Sequence, residues 1–180
     1  MASIGVFCSS SQRLEELWLN LAADVGTELG RRGHILVSGG GCVGMMGTLA
    51  EGARAAGAHT LGVIPQSLVD LEVADADADE LIVTDGMAAR KIIMIERADV
   101  FLILPGGLGT LDELFEVWTT ATLGHHRKPL VLLDSDGFYA GLTAWLRDLE
   151  RQSFLHPRAL AMVQIVRTVD DALDAVDRVG

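Results

Sequence analysis

Continuous apolar runs recur along this chain with stretches of helical periodicity between them, and that alternation limits its fold more than any other feature. The runs are SIGVF, HILVSG, TLGVIP, LIVT, DVFLILP, PLVLLD and MVQIV. They do not alternate apolar with polar, so they read as strands buried on both faces, as in parallel sheets. Amphipathic stretches over residues 12–31, 43–56, 87–97, 110–123 and 137–151 fill the gaps, and VDDALDAVDRV closes the sequence. Strand and helix in this order predict an α/β fold, a Rossmann-like doubly wound parallel sheet of about seven strands with helices on both faces. At 180 residues, one domain over residues 1–180 is the simplest organisation. The one acidic, low-complexity segment, DLEVADADADE, is expected to be an exposed loop between strands.

Ligands of such sheets bind beyond the carboxyl ends of the strands, and two glycine clusters fall there. The first, SGGGCVGMMG, fits G-x-G-x-x-G through Gly39, Gly41 and Gly44. A dinucleotide site also wants an acid at the end of the next strand, but TLGVIPQS ends in Pro65 and Gln66. The motif also follows the second strand, not the first. Either the glycines let a backbone approach a nucleotide, or they tighten a strand–helix turn. Gly40, Gly41, Gly44 and Met45 are candidates to line a ligand, with Ser10 of FCSSS after the first strand.

The second cluster, LPGGLGTLDEL, carries Gly106, Gly107 and Gly109 and then two adjacent acids, Asp112 and Glu113. Thr110 is expected as the N-cap of the helix that follows. N–H groups at a helix N-terminus favour a phosphate or carboxylate. Both acids are then expected in the first turn, aimed roughly 100° apart, with Leu111, Leu114 and Phe115 toward the core. A first-turn acid ordinarily only suits the helix dipole. Beside a phosphate cradle, Glu113 would lie near the sugar of a bound nucleotide. In MAARKIIMIERAD, Arg90 and Lys91 stand near a helix N-terminus, where they oppose the dipole; solvated charges, or an anion nearby, account for them.

Several classes are excluded or disfavoured. Net charge is −11, which disfavours a nucleic-acid surface. No apolar run is long enough to cross a bilayer, and MASIGVF reads as a strand rather than a signal peptide, so a cytoplasmic protein is expected. Cys8 and Cys42 are expected as free thiols, and the five histidines form no metal-ligand spacing. With two lysines, Lys91 and Lys128, Schiff-base chemistry has few candidates. No G-x-S-x-G elbow occurs. Trp18, Trp118 and Trp145 are expected in the core or at an interface.

SGGGCVGMMG, the pair Arg90–Lys91, PGGLGTLDE and LGHHRKPLVLLDSDGFYAGL together resemble the LONELY GUY (LOG) family of cytokinin riboside 5′-monophosphate phosphoribohydrolases, often mislabelled lysine decarboxylases. The resemblance runs from GVFCSSS to about Arg167. It implies hydrolysis of the N-glycosidic bond of a nucleoside 5′-monophosphate to free base and ribose 5-phosphate. It maps catalysis onto Arg90 and Glu113, and substrate contacts onto Glu72, Lys91, Gly106, Gly107, Leu108, Gly109, Thr110 and Thr119, with Asp112 as further lining. Arg90 either holds substrate or stabilises the departing base. The resemblance also implies a homodimer, for which KIIMIERA and LFEVWTTATL are plausible surfaces, and no metal or cofactor. Ala88, Ala89 and Ser9 depart from the family pattern, which bears on the base accepted. A non-catalytic nucleotide or cofactor carrier on the same fold is the alternative, and an NAD(P)-dependent oxidoreductase stands third.

Overall fold

The computed structural model describes residues 1–71 and 73–178. Seven strands form one parallel sheet: β1 (Ser3–Phe7), β2 (Ile35–Ser38), β3 (Thr60–Pro65), β4 (Glu80–Thr84), β5 (Val100–Ile103), β6 (Leu130–Leu133) and β7 (Val163–Val166). Their order is β4-β3-β2-β1-β5-β6-β7. Strand order reverses between β1 and β5, which pair from Ile4↔Val100 to Phe7↔Ile103. That reversal opens a crevice at their carboxyl ends.

The helices are α1 (Glu16–Arg31), α2 (Gly44–Ala55), α3 (Gln66–Val69), α4 (Met87–Arg97), α5 (Leu108–Thr122), α6 (Ala140–Arg151), α7 (Pro157–Leu160) and α8 (Val169–Asp177). Successive strand residues point to opposite faces, so the sheet feeds two cores. Ile4, Val6, Leu36 and Leu102 pack with residues of α1, α2 and α8. Phe7, Val37, Phe101 and Ile103 pack with residues of α4, α5 and α6. The doubly buried strands expected from the apolar runs are present in β1, β2, β3, β5 and β6, with helices on both faces, whereas the edge strands β4 and β7 are partly exposed. The short α3 and α7 are additions to the expected set.

Three expectations are corrected. Helix α1 begins at Glu16, not residue 12, which leaves residues 8–15 as loop. Helix α5 begins at Leu108 with Gly107 at its N-cap, so Thr110 is inside the first turn and Asp112 and Glu113 fall in the second. The acidic segment is not simply an exposed loop. Ala74 bridges to Gly41, Cys42 N–H donates to Val73 O (2.9 Å) and Asp75 N–H to Gly40 O (2.8 Å). The buried Asp75 carboxylate takes Arg54 at 2.7 Å. No helix among the described residues is long and apolar enough to cross a membrane.

Candidate active site

An open cleft of about 550 Å³ lies at the switch point. Its walls come from the loop after β1 (Cys8, Ser9, Ser10, Ser11, Gln12), the first glycine cluster (Gly39, Gly41, Val43) and the second (Gly107, Leu108, Gly109, Thr110). Arg90 of α4 and Glu113 of α5 meet there, 6% and 7% exposed.

The guanidinium of Arg90 is held on three sides. Its Nε donates to Val63 O at 3.0 Å and its Nη2 to Gly39 O at 3.3 Å. Its Nη1 stands 3.3 Å from Glu113 Oε1. Two backbone carbonyls at the ends of β2 and β3 thus aim the cation at one carboxylate. Burial pushes the Glu113 carboxyl up to about 7, against the opposing pull of Arg90. Near neutral pH this group passes between acid and base, which suits a carboxylate that exchanges protons. The Cys8 thiol beside them is pushed up by burial and by Glu113, so it stays neutral.

The two glycine clusters differ in what a side chain would meet. A methyl on Gly39 would lie 1.8 Å from Arg90 Nη2. One on Gly44, where φ is +59°, would lie 2.5 Å from Ser11 O. Met45 N–H at the start of α2 already donates to Ser9 O at 3.0 Å. One of the first N–H groups of this helix is therefore already taken by protein, and Gly44 is packed against the loop after β1. At the second cluster a methyl on Gly107 or Gly109 would meet nothing within 4 Å, whereas one on Gly106 would strike Thr110 Oγ1 at 2.1 Å. The first bond of α5 runs from Leu111 N–H to Gly107 O (3.0 Å). The N–H groups of Leu108, Gly109 and Thr110 precede it, so they have no partner within the helix, and all three residues line the cleft. Such an N-terminus is ready for an anion.

The cleft thus gathers Ser10, Gly41, Arg90, Gly107, Leu108, Gly109, Thr110 and Glu113 of the expected set. Gly106 and Met45 line an adjoining hollow of about 240 Å³ behind the loop. Gly40 lies beneath, against Val63 and Ile64, and Gly44 lines a separate hollow with Cys42. Lys91 is outside the cleft of this chain, paired with Asp112 at 3.0 Å and in contact with Glu116; these partners raise its pKa. Thr119 is exposed farther along α5. Glu72 lies outside the described residues.

An apolar wall went unforeseen: Met46, Ile64, Leu68, Leu71, Val73 and Met87. The i, i+3 spacing of Leu68 and Leu71 was the one readable signal for it. Lys128 donates to the backbone carbonyls of Ile95 (2.5 Å) and Glu96 (3.3 Å), so neither lysine lines the cleft. Among the described residues no group of His, Cys, Asp or Glu is disposed to hold a metal ion.

Comparison with known proteins adds the following. The profile of a family described as "possible lysine decarboxylase" matches residues 46–176. A protein of Mycobacterium tuberculosis (strain ATCC 25618 / H37Rv) named cytokinin riboside 5′-monophosphate phosphoribohydrolase is 51% identical, over 96% of this chain and 92% of its own. One of Arabidopsis thaliana bearing the same enzyme name is 36% identical, over 97% and 81%. Among solved structures, the Moco carrier protein from Chlamydomonas reinhardtii superposes with a TM-score of 0.74 at 25% identity, over 99% of this chain and 96% of that one.

Proposed function

The chain belongs to the LONELY GUY (LOG) family, and we propose that it hydrolyses the N-glycosidic bond of adenosine 5′-monophosphates, releasing free base and ribose 5-phosphate. The observation that carries this reading is the buried Arg90–Glu113 pair, 3.3 Å apart, at the foot of a cleft whose rim is an open helix N-terminus. The 5′-phosphate takes the N–H groups of Leu108, Gly109 and Thr110, and the ribose then lies over Glu113. In the reaction the bond from C1′ to the base breaks, its electron pair leaves with the base, and C1′ gains oxocarbenium character. Ionised Glu113 stabilises that charge and takes a proton from the water whose oxygen bonds to C1′. The departing nitrogen takes up a proton from solvent, and Glu113 afterwards gives the proton it took back to solvent, so that water has added OH to C1′ and H to the base. Arg90 favours the ionised form of Glu113 and holds it in place.

The apolar wall of Ile64, Leu68, Leu71 and Val73 supports a base with an apolar N6 substituent, in line with the cytokinin named in the relatives. No resident metal or organic cofactor enters the reaction. The exposed Met87 and Ile92 of α4 and Leu123 after α5 support a homodimer through these helices, which would bring Lys91 and Thr119 to the interface. A cytoplasmic site suits a nucleotide substrate.

The test follows free base released from AMP, isopentenyladenosine 5′-monophosphate and the matching nucleosides. Release from the monophosphates alone is the expected result, fastest from the prenylated one. Glu113→Gln is expected to lower kcat by about 10³-fold while nucleotide still binds; full turnover in that variant would sink the assignment. The Moco carrier likeness favours a second reading, a carrier, which predicts nucleotide bound and no base released from any substrate.

A further inference from the structure

The carbonyl of Leu104 has a partner that the proposed chemistry does not use. Leu104 is fully buried and lies one residue beyond β5, where pairing with β6 stops at Ile103↔Leu132. Its carbonyl has left the ladder just before the second glycine cluster begins. The Tyr139 hydroxyl donates to it at 2.7 Å. This bond ties the chain immediately before Pro105 and the glycines that follow.

Tyr139 is brought there by a turn with unusual backbone. Asp136 and the following Gly137 have φ of 55° and 70°, a left-handed region that a non-glycine residue occupies at a cost. The turn is tied at its base by Asp134, whose N–H donates to Val166 O at 2.8 Å. The buried Asp134 carboxylate accepts the N–H of Tyr139 at 2.6 Å. The Phe138 ring stands edge-on to both Tyr139 and Trp18 and lines the hollow behind Pro105, Gly106 and Gly107. A strained turn that places the hydroxyl of a buried tyrosine before a glycine loop points to a role in that loop's geometry. Glycines let a backbone move, so a cradle made of them needs an external brace.

We infer that Tyr139 is a positioning residue: its backbone is held by Asp134, its hydroxyl fixes the chain at Leu104 just before the glycine cluster, and it so sets the direction in which the N–H groups of Leu108, Gly109 and Thr110 meet the 5′-phosphate. This rests on the phosphate reading of the loop and goes beyond it in naming what holds the cradle open. Ring packing does not depend on the hydroxyl, so Tyr139→Phe removes the brace and keeps the core.

The experiment titrates ribose 5-phosphate and, separately, adenine into the whole protein and into Tyr139→Phe, and measures KM and kcat for the monophosphate. The expected result is a roughly three- to tenfold rise in the dissociation constant for ribose 5-phosphate, a parallel rise in KM with a smaller change in kcat, and unaltered adenine binding. Equal weakening of both ligands would mark a general structural role and overturn the inference, as would unchanged ribose 5-phosphate binding. If wild type releases no base but binds ribose 5-phosphate, and the variant binds it less well, the proposed reaction falls and the brace stands. If wild type binds no ribose 5-phosphate, both fall. Should Tyr139→Phe not fold, Asp134→Asn keeps ring and hydroxyl and weakens only the acceptor of the Tyr139 N–H. A smaller loss with the same selectivity is expected there, and none would overturn the inference.

Discussion

The two glycine clusters have similar compositions and equivalent places, each following a strand and opening a helix, yet they do opposite things. In the first, the space a side chain would take is filled by protein: Arg90 at Gly39, Val63 and Ile64 at Gly40, Ser11 O at Gly44. In the second, Gly107 and Gly109 face open space, and among the described residues no backbone group is bonded to the N–H groups of Leu108, Gly109 and Thr110. The first cluster seats the cation, and the second leaves room for the anion. What a Cβ would meet separates them, whereas glycine count and spacing do not. By spacing alone the first is the better nucleotide motif.

The sharpest way to break this comparison is Gly39→Ala. The nearest atom to the new methyl is the tip of the Arg90 side chain, which can move, so folding should cost only about 1–3 kcal/mol. Movement takes Nη1 off Glu113, and a misplacement of about 1 Å in a catalytic group costs on the order of 100-fold. Steady-state kinetics and a denaturant melt on one preparation check both halves. Normal kcat/KM with Arg90 undisturbed would mean that the first cluster does not seat the cation.

The next effect concerns the pair that the clusters bring together. The Glu113 carboxyl is pushed up to about 7, chiefly by burial and less strongly by Asp112, against the pull of Arg90. In the proposed reaction it works ionised, so kcat/KM should rise with pH through about 7 and fall about tenfold for each unit below. The substrate phosphate titrates near 6 and could imitate part of this limb. Asp112→Asn separates them: it removes a charge that raises Glu113, so the limb should move to lower pH, while a limb set by the phosphate would stay. The same shift bears on stability. The folded protein holds this proton to about 7 and the unfolded chain only to its ordinary value near 4.5, so Glu113 contributes a loss of stability as pH rises through that window.

Much of the fold was legible because the inner strands are buried on both faces and so appear as unbroken apolar runs, while the partly exposed edge strands β4 and β7 give the shorter, weaker runs LIVT and MVQIV. Helices α3 and α7, four residues each, show no period over so short a length. Thr110 looked like a cap because capping is what threonine does before a helix. Instead it is 3% exposed, with Gly106 pressed against its side chain, while Gly107 takes the cap. Arg90 and Glu113 were legible as members of motifs, but which neighbours share their side of a helix was not. Lys91 is roughly 100° round α4 from Arg90 and Thr119 roughly 240° round α5 from Glu113, and both turn away from the cleft. The apolar wall comes from separate segments, α2, β3, α3 with the residues after it, and α4, so only folding assembles it.

The smallest expected effect is also the most selective. Gly109 lies in the first turn of α5, where a methyl would meet nothing within 4 Å. Ala there restricts the unfolded chain and favours the helix, by up to roughly 0.5–1 kcal/mol, so Gly109→Ala should melt slightly higher than wild type. The same methyl projects where the proposed phosphate sits, and the dissociation constant for ribose 5-phosphate should rise a few-fold while adenine binding holds. At Gly44 the balance reverses, because Ala there would meet Ser11 O in a left-handed backbone; that variant should melt lower. Thermal melts and two titrations on each variant decide the matter. If Gly109→Ala gains stability and loses no phosphate affinity, its open face is merely solvent, and the anion belongs elsewhere in the cleft.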